Sequence, residues 1–194
     1  MRLIAATSCR AGGGHPEYHL QVDALELLKI QWDMILAFPP CTYLANAGAC
    51  RLYPAKGQLD TERFQKGLEA KTFFLRFWEA DCPRIAVENP VSSRIFEMPP
   101  HTQEIQPYMF DDDGTWPYTK KTRLWLKGLP PLVPTTPDRK PVGPYVPSGT
   151  GRKDKRTYGA ARRGQDAINR AKTPPGVARA MAQQWGGLLQ GGQR

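Results

Sequence analysis

Cys41 closes the run AFPPC, directly after Pro39 and Pro40, and small residues follow it in TYLANAG. The two prolines restrict the chain and hold the loop that carries the thiol at a fixed angle. A thiolate attacks only when something stabilises it, and nearby Lys or Arg does so. Lys121 and Arg123, in KKTRLWL, supply such charge. Glu88 and Asn89 follow the apolar run RIAV, so a carboxylate and an amide stand at the mouth of a predicted strand. Open α/β sheets bind ligands beyond the carboxyl ends of their strands, which directs thiol and carboxylate to one crevice. A thiol, a carboxylate and a cation in that setting point to covalent modification of a pyrimidine. Cys50 and Cys82 lack the Pro-Pro setting and read as inert packing.

The elements that must position these residues follow from apolar patterning. Asp33 to Phe38 is a continuous apolar run, which predicts a strand buried on both faces of a parallel sheet. Arg84 to Val87 and Arg123 to Leu126 predict two more strands. Between the first two, TERFQKGLEAKTFFLRFWEAD places Phe64, Leu68, Leu75 and Trp78 on one helical stripe, with Asp60 or Thr61 as the cap. Strand, helix and strand form a βαβ unit, and the class is α/β with a mostly parallel sheet. Near the end of the sequence, Pro175 suits a first helical turn, and Val177, Met181 and Trp185 recur every fourth residue until Gly186 and Gly187. A packing helix accounts for that pattern.

The sequence has 194 residues and a net charge of +9. No apolar run is long enough to span a bilayer, and the four cysteines follow no disulfide framework, so the expectation is a cytoplasmic protein without a membrane partner. From Lys120 to Thr173 there are fourteen Lys and Arg against three Asp, more than the surplus of the whole chain. Lys153, Lys155, Arg156, Arg162 and Arg163 therefore read as phosphate contacts, with Tyr145 and Tyr158 available for stacking. The Pro and Gly content of this segment predicts extended loops that bury little apolar surface. Cys9, His15 and His19 make a poor metal set, because Pro16 prevents a helix from aligning them and a fourth ligand is lacking. DDDG, Asp111 to Gly114, reads as an acidic turn rather than a cation site. No metal is expected.

FPPC, VENP and the KxR of KKTRLWL stand in the order and rough spacing found in DNA cytosine-5 methyltransferases, and the chain resembles that family from about Gln21 to Gly186. TPPGVARAMAQQW is similar to the family's closing motif. The likeness is to short, phage-encoded members that also carry ENP, KKTxLWLKGLPPL and a terminal GxAxAMAxQW. The resemblance implies a Rossmann-like methyltransferase sheet with helices on both faces. It implies that Cys41 attacks C6 of a cytosine in DNA, flipped or single-stranded, and that Glu88 holds the N3 and amino edge. Arg123, with Lys121, would steady the base and the cysteine. Asp23, with Pro39 and Asn89, would lie near the methyl donor S-adenosylmethionine.

Only seven residues, His15 to Gln21, separate Gly14 from Val22, which leaves no room for a helix and a second strand before Asp23. RLIAATSC is therefore aligned with the family's second strand, so the fold is expected to be N-terminally reduced. Arg10 then stands where an acidic residue would hold the donor's ribose, and weak or absent donor binding is expected. An open sheet edge would invite pairing with a second copy, which predicts a homodimer. The expected organisation is a catalytic core over residues 1–127, a basic segment over 128–173 in place of a target-recognition domain, and a helix over 174–194 packing back on the core. Two other functions remain open: donor-independent modification of the pyrimidine, by another electrophile or by deamination, and a non-catalytic DNA- or partner-binding role.

Overall fold

The computed structural model describes residues 5–7, 16–144 and 172–189. The chain forms two compact units. One runs up to Pro100 and takes in Trp125–Leu129; the other holds His101–Leu124 and the chain from Pro130 onward. The class is mixed α/β, with strands paired in both directions. Among the described residues no helix is long and apolar enough to cross a membrane.

In the first unit, β1 (Ala5–Thr7) pairs in parallel with β2 (His19–Gln21). A second strand therefore fits before Asp23, preceded among the described residues by the 3-10 turn Pro16–Tyr18 rather than by an α-helix. β1 ends at Thr7, before the glycines, and the connection over residues 8–18 is close to the roughly dozen residues a parallel crossover needs. Asp23 then caps the short helix α1 (Ala24–Leu27), its Oδ1 accepting from Leu25 N at 2.9 Å.

β3 (Ile35–Ala37) and β4 (Ile85–Pro90) are parallel, with Ala37 opposite Val87. Between them come a short helix α2 (Ala49–Leu52) and the 18-residue α3 (Thr61–Trp78). Asp60 is the α3 cap, its carboxylate accepting from Arg63 N at 2.9 Å. The buried face of α3 is Gly67, Phe74 and Phe77; the expected residues Phe64, Leu68, Leu75 and Trp78 flank it, half-buried. Phe74 and Phe77 join Ala37, Ile85, Val87 and Trp125 in one core. Trp125 comes from β7 (Thr122–Lys127), whose second half lies beside β4 in this unit, and its indole donates to Pro99 O at 2.9 Å. β3 is shorter than expected and covered on one face only: Leu36 is 39% and Phe38 46% exposed.

In the second unit, β5 (Gln103–Ile105) runs antiparallel to the first half of β7, with Glu104 opposite Arg123. β6 (Tyr118–Thr119) and β8 (Gly143–Pro144) form a short parallel pair. Helix α4 (Pro175–Gly186) buries Val177, Ala180, Met181 and Trp185, the stripe its periodicity predicts. The Pro-rich stretch after β7 does bury apolar side chains. Leu132 is enclosed, with its backbone amide and carbonyl both bonded to the Gln103 side chain at 2.8 Å. Trp185 donates to Pro130 O, and Gln184 bonds both backbone groups of Val133. Polar side chains thus meet backbone groups that the prolines leave without a ladder.

Gly67 is where α3 crosses the ring of Phe96, and a Cβ there would lie 2.2 Å from two ring atoms. Phe96 is itself buried against Leu44 and Leu52 and stacks on Phe64, so it has nowhere to move. Gly67→Ala is expected to cost about 1–3 kcal/mol in urea unfolding. Gly186→Ala, with open space at its Cβ, should stay within about 0.5 kcal/mol of wild type.

Candidate active site at the ends of β3 and β4

The site is built where β3 stops and β4 continues. β4 does not end at Val87 but runs through Glu88 and Asn89 to Pro90. Pro39 lies two residues beyond Ala37, as Asn89 lies two beyond Val87, so the register brings them together. The Asn89 amide donates from Nδ2 to Pro39 O at 3.2 Å, and Asn89 is wholly buried. Its Oδ1 finds no donor among the described residues. Glu88, by strand alternation, takes the opposite face of β4, the face of Ala86 and of the exposed Leu36, and is half-buried.

Cys41 is half-buried and opens a tight turn: its carbonyl accepts from Leu44 N at 3.1 Å and from Ala45 N at 2.8 Å. Leu44, wholly buried with Leu52 and Phe96, anchors that turn. On the far side the turn is stitched to the residues that follow Pro90. Ala45 bridges Ser92, Ser93 N donates to Leu44 O at 2.8 Å, and Asn46 N donates to Val91 O at 2.8 Å. The loop of the thiol and the strand end of the carboxylate are therefore one hydrogen-bonded assembly. Ser92 and Ser93, both buried, belong to it; sequence reasoning does not single them out, and their nearness to ENP is the one signal available.

The other cysteines differ from Cys41 and from each other. Cys82 is buried, with Sγ 3.2 Å from the carbonyls of Trp32 and Arg84, as a packing cysteine should be. Cys50 is exposed on α2, so the packing role expected for it is not what it has.

Lys121 and Arg123 belong to the second unit. There they share Glu104, with Lys121 Nζ at 3.0 Å and Arg123 Nε at 3.9 Å, and Arg123 Nε has no hydrogen-bond acceptor among the described residues. Glu104 is a partner the sequence did not reveal, since it depends on the antiparallel register of β5 with β7. The DDDG turn is tied to structure: Asp111 accepts from Trp116 N and pairs with Arg139 at 2.8 Å. The Thr115 hydroxyl and amide, then Arg179, hold the Asp113 carboxyl down at about 2, against an ordinary 3.8. That depressed value means the stabilisation is present above the ordinary value and is lost as pH falls towards 2. Lys153, Lys155, Arg156, Arg162, Arg163, Tyr145 and Tyr158 lie outside the described residues, as do Cys9, Arg10 and His15.

The three residues assigned to the methyl donor are each engaged within the fold. Pro39 and Asn89 are buried against each other, and Asp23 is exposed with its carboxylate on the α1 amide. What the assembly offers is a thiol on a constrained turn and a carboxylate on the neighbouring strand. Comparison of the chain with family models, with curated proteins and with solved structures gives no match.

Asn89→Ala removes the only donor to Pro39 O among the described residues and leaves that carbonyl unmatched in a buried place. The expected loss is about 1–3 kcal/mol by chemical denaturation. Asn89→Asp should lose more, because a buried carboxylate would face the same carbonyl. Equal stability of wild type and both variants would show that the bond carries no weight.

Proposed function

We propose that the chain is a DNA cytosine-5 methyltransferase-like protein that activates a cytosine through a covalent adduct with Cys41. The observation that carries the reading is the joining of the Cys41 turn to the strand end bearing Glu88 and Asn89, through Asn89 to Pro39 and through Ala45 to Ser92. On this reading β3, α3 and β4 are the crossover unit of a Rossmann-like methyltransferase sheet.

The step assigned to these residues balances as an addition. The Cys41 thiolate bonds to C6 of the base, the C5–C6 π bond opens, and N3 takes a proton from the Glu88 carboxyl, which is left as a carboxylate hydrogen-bonded to that edge. C5 becomes an enamine carbon and therefore nucleophilic. The base must be out of the stack for Sγ to approach its face. Lys121 and Arg123, with the basic run from Lys120 to Thr173, give the anionic partner its counter-charge.

DNA carrying 2-pyrimidinone in place of one cytosine tests this, because the ring without its amino group accepts a thiol at C6 more readily. Wild type is expected to form a complex that survives denaturing electrophoresis, Cys50→Ser to form it equally, and Cys41→Ser to form none. Glu88→Gln should slow capture by about a hundredfold. A complex that persists in Cys41→Ser, or its absence in wild type, would overturn the proposal.

A further inference from the structure

The Cys41 turn is stitched to residues 91–93 on one side; on its other side it meets the first turn of α3. Arg63 reaches across from that helix. Its Nη2 donates to Thr42 O at 3.0 Å, and its guanidinium carbon lies 5.0 Å from the centre of the Tyr43 ring. Both contacts fall on the two residues directly after the cysteine. Gly48 lies close by: a Cβ there would come within 3.0 Å of Nη2, so a glycine leaves room for the guanidinium.

The side chain starts from a fixed point. Arg63 N is held by the Asp60 carboxylate, and Phe64 N by Asp60 O, at the capped end of an 18-residue helix. Among the described residues Arg63 makes no ion pair; its guanidinium donates to a backbone carbonyl and lies over an aromatic ring. A guanidinium does both at once, whereas an ammonium, like that of Lys66 at 6.0 Å from the same ring centre, offers a point charge without a flat donor fork. We infer that Arg63 is a positioning residue that holds the Cys41 turn for attack, acting through Thr42 O and Tyr43. The inference rests on the functional reading above, but the hold on the turn can be measured without it.

Two measurements on the full chain separate the claims. Amide hydrogen exchange at Leu44 and Ala45, whose N–H groups bond to Cys41 O, should rise about tenfold in Arg63→Ala, while exchange in the middle of α3 stays unchanged. Capture of 2-pyrimidinone DNA at saturating DNA should slow by about tenfold, with DNA affinity within about threefold of wild type. Arg63→Lys, which keeps the charge and a donor but not the stack, should fall between the two, and Tyr43→Ala should add little on top of Arg63→Ala. Unchanged exchange at Leu44 and Ala45 would overturn the inference. So would a defect that vanishes at saturating DNA, since Arg63 would then be a DNA contact. A wild-type chain that captures no DNA would sink the functional reading alone, and the exchange data would still decide whether Arg63 holds the turn.

Discussion

Where β3 runs into Pro39 and Pro40, the backbone loses its donors, because a proline nitrogen carries no hydrogen. A parallel ladder cannot continue past that point, yet β4 goes on for three residues beyond Val87. The Asn89 side chain fills the gap by donating to Pro39 O in a place closed to water. An aspartate could not donate there, and a longer amide would have to fold back on itself. The interaction explains why an uncharged amide stands between Glu88 and Pro90. It also sets the direction in which the chain leaves β3, and hence where Cys41 begins its turn.

From that point the constraints accumulate along the chain. The Cys41 carbonyl closes a turn over Leu44 and Ala45; Leu44 plugs the pocket with Leu52 and Phe96; Phe96 is held by the glycine gap at Gly67. Helix α3 therefore serves the site twice, by covering the sheet with Phe74 and Phe77 and by presenting its first turn to the cysteine loop. On the function proposed here, a half-buried thiol on so fully tied a turn would need little further ordering when a substrate arrives, which lowers the entropy cost of a two-point grip.

Much of this was legible in the residues. The three strands, the long helix and its Asp60 cap, and the α4 stripe all rest on local apolar period and local capping, which a sequence carries openly. Covered faces were less legible. MILAF is apolar throughout, and only the tertiary fold decides that Leu36 and Phe38 stay exposed. The buried line of α3 passes through Gly67, which has no side chain to announce it. Glu104 opposite Arg123 and the Gln103 clasp on Leu132 depend on long-range pairing, which no window of sequence contains. Composition misled for the proline-rich stretch, because Leu132 is buried with both its backbone groups met by the Gln103 side chain.

The central claim is that Cys41 and Glu88 grip one base from neighbouring elements. A crystal structure of the chain captured on DNA with 2-pyrimidinone at the target position measures this directly. The account predicts a bond from Cys41 Sγ to C6 of an extruded ring, with the Glu88 carboxyl within hydrogen-bond reach of N3 and the Asn89 bond to Pro39 intact. A ring bonded to Cys50, or one bonded to Cys41 with Glu88 turned away from its N3 edge, would contradict it.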